Sequence, residues 1–422
     1  MCLSPDRQPV LAFAVTTCGS RAFANGCLIM RLDDLSRHEP RTTTPDMGLT
    51  RRWTINGDFL ALQPTGVARY AREVTLALDR LVAEHDPLTA GLDLDLVAPR
   101  ALDGFAPAAI PIRVVPDARR LRLPQAWVQA RLPWHVPGGL LSFCNLAPVA
   151  IRRHIVCIHD LQTRTMPQSY GLGFRLVHRV VLPALGRRAA VITTVSGHSR
   201  DELVRYGIAS AEKIAVTCNG ADHARGWRAD RSTRAFPSGP FVLCLGRPQP
   251  YKNSALMCRL AEPLAAVGIA VVMAGDITAD DLARPGQVLP ANLQLIGRIS
   301  DDDLARGLSQ ALCFAFPSRS EGFGLPAVEA MMMGCPVVAA DAPALPEICG
   351  EAALFASPDD VAGWVAAIVS LRDDPQLRAR LVERGRERAM QTYSWRAIAR
   401  SYLRLMARVD AGGPIACAHD AA

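Results

Sequence analysis

"SEGFGLPAVEAMMMGCPVVAA", residues 320–340, decides the fold. It sets two glutamates, Glu321 and Glu329, eight positions apart around a glycine-rich turn, and Pro326 opens what reads as a helix. The apolar, strand-like "LCFAFPS" runs into it, and it ends on another strand, "PVVAA". Strand, glycine turn, helix and strand together form the repeating unit of a parallel sheet covered by helices. Ligands in such sheets bind where strands end. Gly322 and Gly324 let the backbone approach a ligand closely, and Pro326 suits a first helical turn, where its missing N–H leaves nothing unpaired. The helix tip offers free amides and the positive end of a dipole, a site for phosphate or sugar oxygens. Carboxylates repel phosphate. Glu321 and Glu329 are therefore expected to accept hydroxyl hydrogens at the two ends of one extended ligand, a sugar at Glu321 and a ribose at Glu329.

The same alternation continues outward. "FVLCLGR", "IAVVMAGD", "LQLIGRI" and "ALFA" are strand-like, with helices beginning near Asn253, Ser300, Leu325 and Asp359. Upstream, "WTINGDFLAL", "LDLDLVAP", "IRVVP", "HIVCIHDL", "VITTVS" and "KIAVTCNG" read as extended segments. Among them lie the helical patterns "GVARYAREVTLALDRLVAEH", "GFRLVHRVVLPALGRRAA" and "SRDELVRYGI". Near-continuous apolar strands alternating with helices predict parallel sheets buried on both faces. The polar stretch "ADHARGWRADRSTRAFPSG" reads as a structureless interdomain linker. The expected fold class is α/β, two Rossmann-like domains facing across a cleft. Residues 51–235 form the first domain, 236–395 the second, and 396–422 a C-terminal helix and tail, with the C-terminal helices free to pack back on the first domain.

Composition bounds the function. The chain has 422 residues, half of them hydrophobic, and a net charge of +7. The charge is uneven: 30 basic against 20 acidic residues up to Phe236, then 17 against 20. A basic first half suits an anionic partner such as a lipid surface, although 45 arginines beside two lysines, Lys213 and Lys252, equally fit a plain preference for Arg. Twelve cysteines show no C-x-x-C pair or zinc spacing and sit mostly in apolar runs, as in a reducing compartment. No apolar stretch reaches the ~18 residues of a membrane span. "PVLAFAVTTCGSRAFANG" has the outline of a weak signal peptide, but the acidic and polar residues after it argue otherwise. Residues 1–50 are expected to be a disordered extension, or an overlong start with Met47 as the natural initiator. "RRLRLPQAWVQARLPWHV" mixes Arg with Trp127 and Trp134 as a membrane-surface patch does; buried tryptophans beside ordinary surface arginines fit it equally.

"EGFGLPAVEAMMMGCPVVAAD" followed by "LPEICGEAALF" resembles the E-x7-E signature of family 4 retaining glycosyltransferases, which have the GT-B fold. The resemblance extends from about Trp53. "NGDFLALQPTGVARYARE" is similar to that family's glycine loop, "IHDL" to its histidine loop, "TTVSGHSRDEL" to its domain-edge strand and "VLCLGRPQPYKN" to its phosphate motif. The resemblance implies that Arg247 and Lys252 neutralise the donor diphosphate and that Gly66 lets its loop close over the phosphates. It implies that His159 and Glu321 hold the transferred sugar, with Asp160 orienting the loop. Gly322, Phe323, Gly324, Leu325 and Glu329 would bind the donor, with Arg298 and Ile299 at the nucleobase.

Retention without an obvious carboxylate nucleophile points to a front-face route in which the departing phosphate takes the acceptor's proton. Asp301 and Asp303 in "SDDDLARGL" have metal-ligand spacing, but they follow Ser300 at a helix start and read as a cap. No metal and no cofactor is expected. The donor is expected to be a nucleoside-diphosphate sugar, GDP-mannose favoured, with UDP-glucose-type sugars and dTDP-rhamnose open. The acceptor is expected to be a saccharide on a lipid diphosphate, with the protein cytoplasmic and peripheral on the inner membrane face. A sugar-nucleotide epimerase or phosphorylase of the same fold and a catalytically inactive sugar-nucleotide-binding subunit are the rivals. Nucleic acid is not an expected partner, since the basic residues form no recognition helix or aromatic platform.

Overall fold

The computed structural model describes residues 51–63, 65–116, 126–282 and 288–413. The expectations for residues 1–50, and for the arginines at positions 119, 120 and 122, fall outside these. In the first domain β1 (Arg51–Asn56) leads through a tight turn into α1 (Gly66–Ala83), capped by the Thr65 hydroxyl on the Ala68 amide. The extended reading of "WTINGDFLAL" holds only as far as Asn56; Gly57–Ala61 turns back as a 3-10 helix. Then come β2 (Leu92–Ala98), β3 (Ile112–Val114), β4 (Gly139–Ser142) and β5 (His154–Cys157). They are followed by α2 (Leu172–Arg188), β6 (Val191–Thr194), α3 (Gly197–Arg205) and β7 (Ile214–Val216). One central strand, β4, escapes the alternation read from the sequence. Its four residues begin at the second of two glycines and are too few to show a period.

The second domain follows the expected segments closely. Its elements are β8 (Phe241–Leu245), α4 (Ala255–Ala265), β9 (Ala270–Ala274), β10 (Leu293–Gly297) and α5 (Asp301–Gln310). After these come β11 (Cys313–Phe316), α6 (Leu325–Met332), β12 (Val337–Ala340), α7 (Leu345–Cys349) and β13 (Ala353–Ala356). Three helices close the described chain: α8 (Val361–Asp373), α9 (Pro375–Thr392) and α10 (Trp395–Asp410).

All strand pairs are parallel. The first sheet has the order β3-β2-β1-β4-β5-β6-β7 and the second β10-β9-β8-β11-β12-β13. In each, the chain reverses direction across the sheet beside its first strand, between β1 and β4 and between β8 and β11. A crevice at the carboxyl ends of strands opens at such a reversal, and ligands bind there. The loops after β8 and β11 carry Arg247, Lys252 and Glu321, so topology alone brings these three together.

The C-terminal helix belongs spatially to the first domain. Its arginines tie it there: Arg400 bonds Asp86 at 2.7 Å, and Arg396 pairs with Glu84 at the edge of α1. On its buried side Trp395, Tyr402 and Met406 are in the core. The Tyr402 hydroxyl meets those of Tyr70 (2.9 Å) and Thr193 (2.8 Å). The linker is also more structured than its polarity suggests, making two short 3-10 turns with Ala221 and Ala224 buried. These crossings join both sheets into one compact unit.

Candidate active site

The second sheet supplies a cationic loop. After β8, the Ser254 hydroxyl accepts the Arg247 amide and donates to the Arg247 carbonyl, stapling the loop shut. Asn253 takes a left-handed conformation (φ 53°) and its amide nitrogen donates to the carbonyls of Pro317 and Pro358. Together these bonds aim Lys252 across the switch point, where its ammonium lies 2.7 Å from Glu321 Oε1. The ammonium also lies 5.0 Å from the Tyr251 ring centroid. The Arg247 side chain forms no hydrogen bond or ion pair among the described residues, whereas Lys252 is already paired with Glu321.

The tip of α6 completes this wall. Gly324 caps the helix at φ +98°, a left-handed conformation that a side chain disfavours, and Pro326 occupies the first turn. The close approach at Gly322 is not to open space: a Cβ there would stand 2.6 Å from the His159 carbonyl oxygen of the other domain. Phe323 and Leu325 have buried side chains, Phe323 edge-on to Tyr393, so they can offer a ligand only their amides. At Gly66 a Cβ would meet nothing within 4 Å, so no protein contact demands glycine there.

Glu329 lies about one turn into α6 and is buried. Trp395 Nε1 donates to His223 Nδ1 at 3.0 Å, so the neutral His223 ring carries its hydrogen on Nε2 and donates it to Glu329 Oε1 at 2.9 Å. Arg69 approaches the same oxygen at 3.6 Å while clamping Asp301 with two bonds of 2.9 and 2.6 Å. Burial works against the Arg69 charge, yet the Asp301 bond and the Glu329 charge leave its pKa raised. A residue read as a free ribose acceptor is thus already anchored by the linker, the C-terminal helix and the first domain.

The opposite wall comes from the first sheet. His159 follows β5, its amide donating to Asn145 Oδ1 (2.7 Å) and its Nε2 to the Phe143 carbonyl (2.8 Å). Burial depresses its pKa to about 4. The ring is therefore neutral near pH 7, and with hydrogen on Nε2 its Nδ1 is an acceptor. Burial lifts Asp160 to about 6, with Glu321 adding to the rise. Gln162 Nε2 donates to the Ser320 carbonyl, and the Glu347 carboxylate accepts the Gly197 and His198 amides at the start of α3. These bonds tie the two walls together.

Arg298 and Ile299 follow β10, and the Asp276 that pairs with Arg298 also feels the Arg247 charge. Arg298 is exposed and paired with Asp276, while Ile299 packs partly against the core. Ser300 and Asp303 form a reciprocal cap on α5, as the sequence predicts. Asp301 takes Arg69, and Asp302 accepts the Arg228 amide. Among the described residues no group of three His, Cys, Asp or Glu side chains could hold a metal. Sequence reasoning missed Arg69, His223, Trp395 and Glu347. Only Arg69 left a trace, three residues after Gly66 and so on the same helical face.

Comparisons with known proteins give the family. Residues 227–388 match the family described as "Glycosyl transferases group 1". The chain is 31% identical to a glycogen synthase of Mycobacterium tuberculosis over 78% of this chain and 79% of that protein. The chain belongs to the group 1 glycosyltransferases. The transferase is also 24% identical to the O-antigen chain mannosyltransferase RfbU of Salmonella typhimurium, over 66% of this chain and 79% of the relative. With the MMP alpha-(1->4)-mannosyltransferase of Mycolicibacterium hassiacum it shares 42% identity, but the match spans only 29% of that relative. Among solved structures, the sucrose-phosphate synthase from Thermosynechococcus elongatus superposes with a TM-score of 0.65 at 19% identity, covering 86% of this chain and all of that one. Anabaena HepE in complex with UDP and glucose gives 0.59 at 17% identity, over 84% and 99% of the two chains. At such identities the likeness concerns the fold, and the fold is GT-B.

Proposed function

We propose that this transferase moves a hexose, mannose favoured, from a nucleoside-diphosphate sugar to a saccharide carried on a lipid diphosphate. The reaction would serve cell-surface polysaccharide synthesis at the cytoplasmic face of a membrane. The observation that carries the reading is the Lys252–Glu321 pair, 2.7 Å apart, at the reversal point of the second sheet beside the tip of α6. A diphosphate arriving there meets Lys252, the unpaired Arg247 and the helix-tip amides, and it draws Lys252 away from Glu321. The freed carboxylate accepts a sugar hydroxyl. His159 Nδ1 accepts a second from the opposite wall, so its role is to position the sugar with a neutral ring. Glu329, its Oε1 fixed by His223, takes the ribose hydroxyls with its remaining lone pairs.

Charge builds on the phosphate as the glycosidic bond breaks, so the cations act most strongly in the transition state. The departing phosphate takes the acceptor's proton on the face it leaves, and anomeric configuration is retained. Two cations and the helix tip neutralise the diphosphate, so activity is expected to survive EDTA; strict dependence on a divalent cation would reject this scheme. The mannosyltransferases of O-antigen synthesis support mannose. A glucosyl donor is the second reading, favoured by the glycogen synthase likeness. Thermal shifts with GDP, UDP and dTDP sugars separate the two, because the ligand that binds the folded chain stabilises it. An inverted linkage in the product, read by NMR, would overturn the mechanism.

A further inference from the structure

We propose that the outward face of α2 (Leu172–Arg188) is the surface on which this transferase lies against an anionic lipid bilayer. This deepens, and rests on, the reading of a lipid-linked acceptor. At 100° per residue, Leu172, Leu176 and Val180 form one ridge, roughly opposite the buried His178, Leu182 and Leu185. The ridge is bare: the three side chains are 79, 63 and 62% exposed. Apolar side chains clustered on one exposed ridge of a helix point to an interaction site.

Charge selects the occupant. The helix carries Arg175, Arg179, Arg187 and Arg188 and no acidic residue. No ion pair among the described residues uses any of the four, although Arg188 donates to the Val149 and Ala150 carbonyls, which leaves Arg175, Arg179 and Arg187 for the lipid. Apolar residues flanked by arginines along about 25 Å of helix suit a position in the headgroup layer, with the guanidinium groups on lipid phosphates. A second copy packed on this face by two-fold symmetry would set arginine against arginine.

Position agrees with the chemistry. Phe174 stacks on Tyr170 (5.5 Å, 11°), and Tyr170 lies parallel to Tyr251 (6.4 Å, 13°), the neighbour of Lys252. The start of α2 therefore borders the mouth of the cleft, where a membrane-held acceptor has to enter. The patch expected around Trp127 and Trp134 does not meet this requirement. Trp127 is core, donating to the Val115 carbonyl, and the exposed Trp134 precedes β4, at the amino edge of the sheet away from the cleft.

The test uses the full chain in co-sedimentation with vesicles of phosphatidylcholine, with and without phosphatidylglycerol, at low and high salt. Wild type is expected on the anionic vesicles at low salt. The triple variant Leu172→Ser, Leu176→Ser, Val180→Ser is expected to lose about tenfold or more in partitioning. The pair Arg175→Gln, Arg179→Gln is expected to weaken binding and its salt dependence, and Trp134→Ser to bind like wild type. A triple variant that sediments like wild type overturns the proposal. So does a wild type indifferent to anionic lipid, or a dimer in analytical ultracentrifugation that the triple variant dissolves. Turnover of a water-soluble saccharide acceptor is read in parallel and is expected to be unchanged in all variants. If wild type itself transfers no sugar, the acceptor reading fails, while vesicle binding separately decides the face.

Discussion

Lys252 is one of two lysines beside 45 arginines, and its ion pair with Glu321 joins the loops after β8 and β11. Lys252→Ala is expected to lower kcat by about 10²–10³, the usual cost of one preorganised charge on a leaving group. Steady-state kinetics beside circular dichroism would check this; unchanged turnover in a folded variant would end the assignment. The neighbouring wall has a pH signature. His159 sits near 4 in the folded chain, below the ordinary histidine value, because burial penalises its charged form. Its contribution to stability is therefore whole above pH 6.5 and is lost as pH falls toward 4. Burial moves Asp58 and Asp160 the other way, to about 7 and about 6, so the raw curve mixes opposite slopes. The difference between wild type and His159→Gln isolates the ring. Wild type is expected to lose about 3 kcal/mol relative to the variant between pH 7 and 4, by urea denaturation at each pH. A flat difference would show that the ring is not held neutral.

At the scale of elements, the site is set by where α6 meets the linker, α1 and α10. His223→Ala strips the partner from two buried groups at once, the Trp395 indole N–H and the Glu329 carboxylate. A loss of about 2–4 kcal/mol is expected, together with a raised KM for the donor, read from urea midpoints and kinetics. Arg69→Met should separate function from stability. Its pair with Asp301 is 29 and 45% exposed, so solvent screens it and global stability is expected to change by less than about 1 kcal/mol. Turnover is nonetheless expected to fall about tenfold or more, because α1 loses its hold on α5 and on Glu329 and domain closure becomes less exact. Equal losses in stability and turnover would reassign Arg69 to a structural role.

Across the whole molecule, Asp410 near the end of α10 bonds Arg51 (2.7 Å), the Trp53 indole (2.9 Å) and Arg153, all in the first domain. Asp410→Ala leaves two arginines and an indole N–H short of a partner. About 2–4 kcal/mol of stability should go, visible as a lowered melting temperature, while donor affinity should hardly change. This long return of the chain explains what could and could not be read from residue order. Hydrophobic periodicity and turn residues act over a few neighbours, so "FVLCLG", "LCFAFPS" and "EGFGLPAVEA" already specified a second parallel sheet and the loops bearing Arg247, Lys252 and Glu321, while the strand order that sets its reversal point came only from the fold. The Ser300–Asp303 cap was legible for the same local reason. The partners of Glu329 were not, because they lie 106 residues upstream at His223 and farther still at Arg69, and no periodicity links such positions. Nor did residue order reveal which tryptophan is core, that the polar linker is structured, or that α2 shows leucines to solvent. Burial depends on what the folded chain brings alongside, and only the tertiary structure decides that.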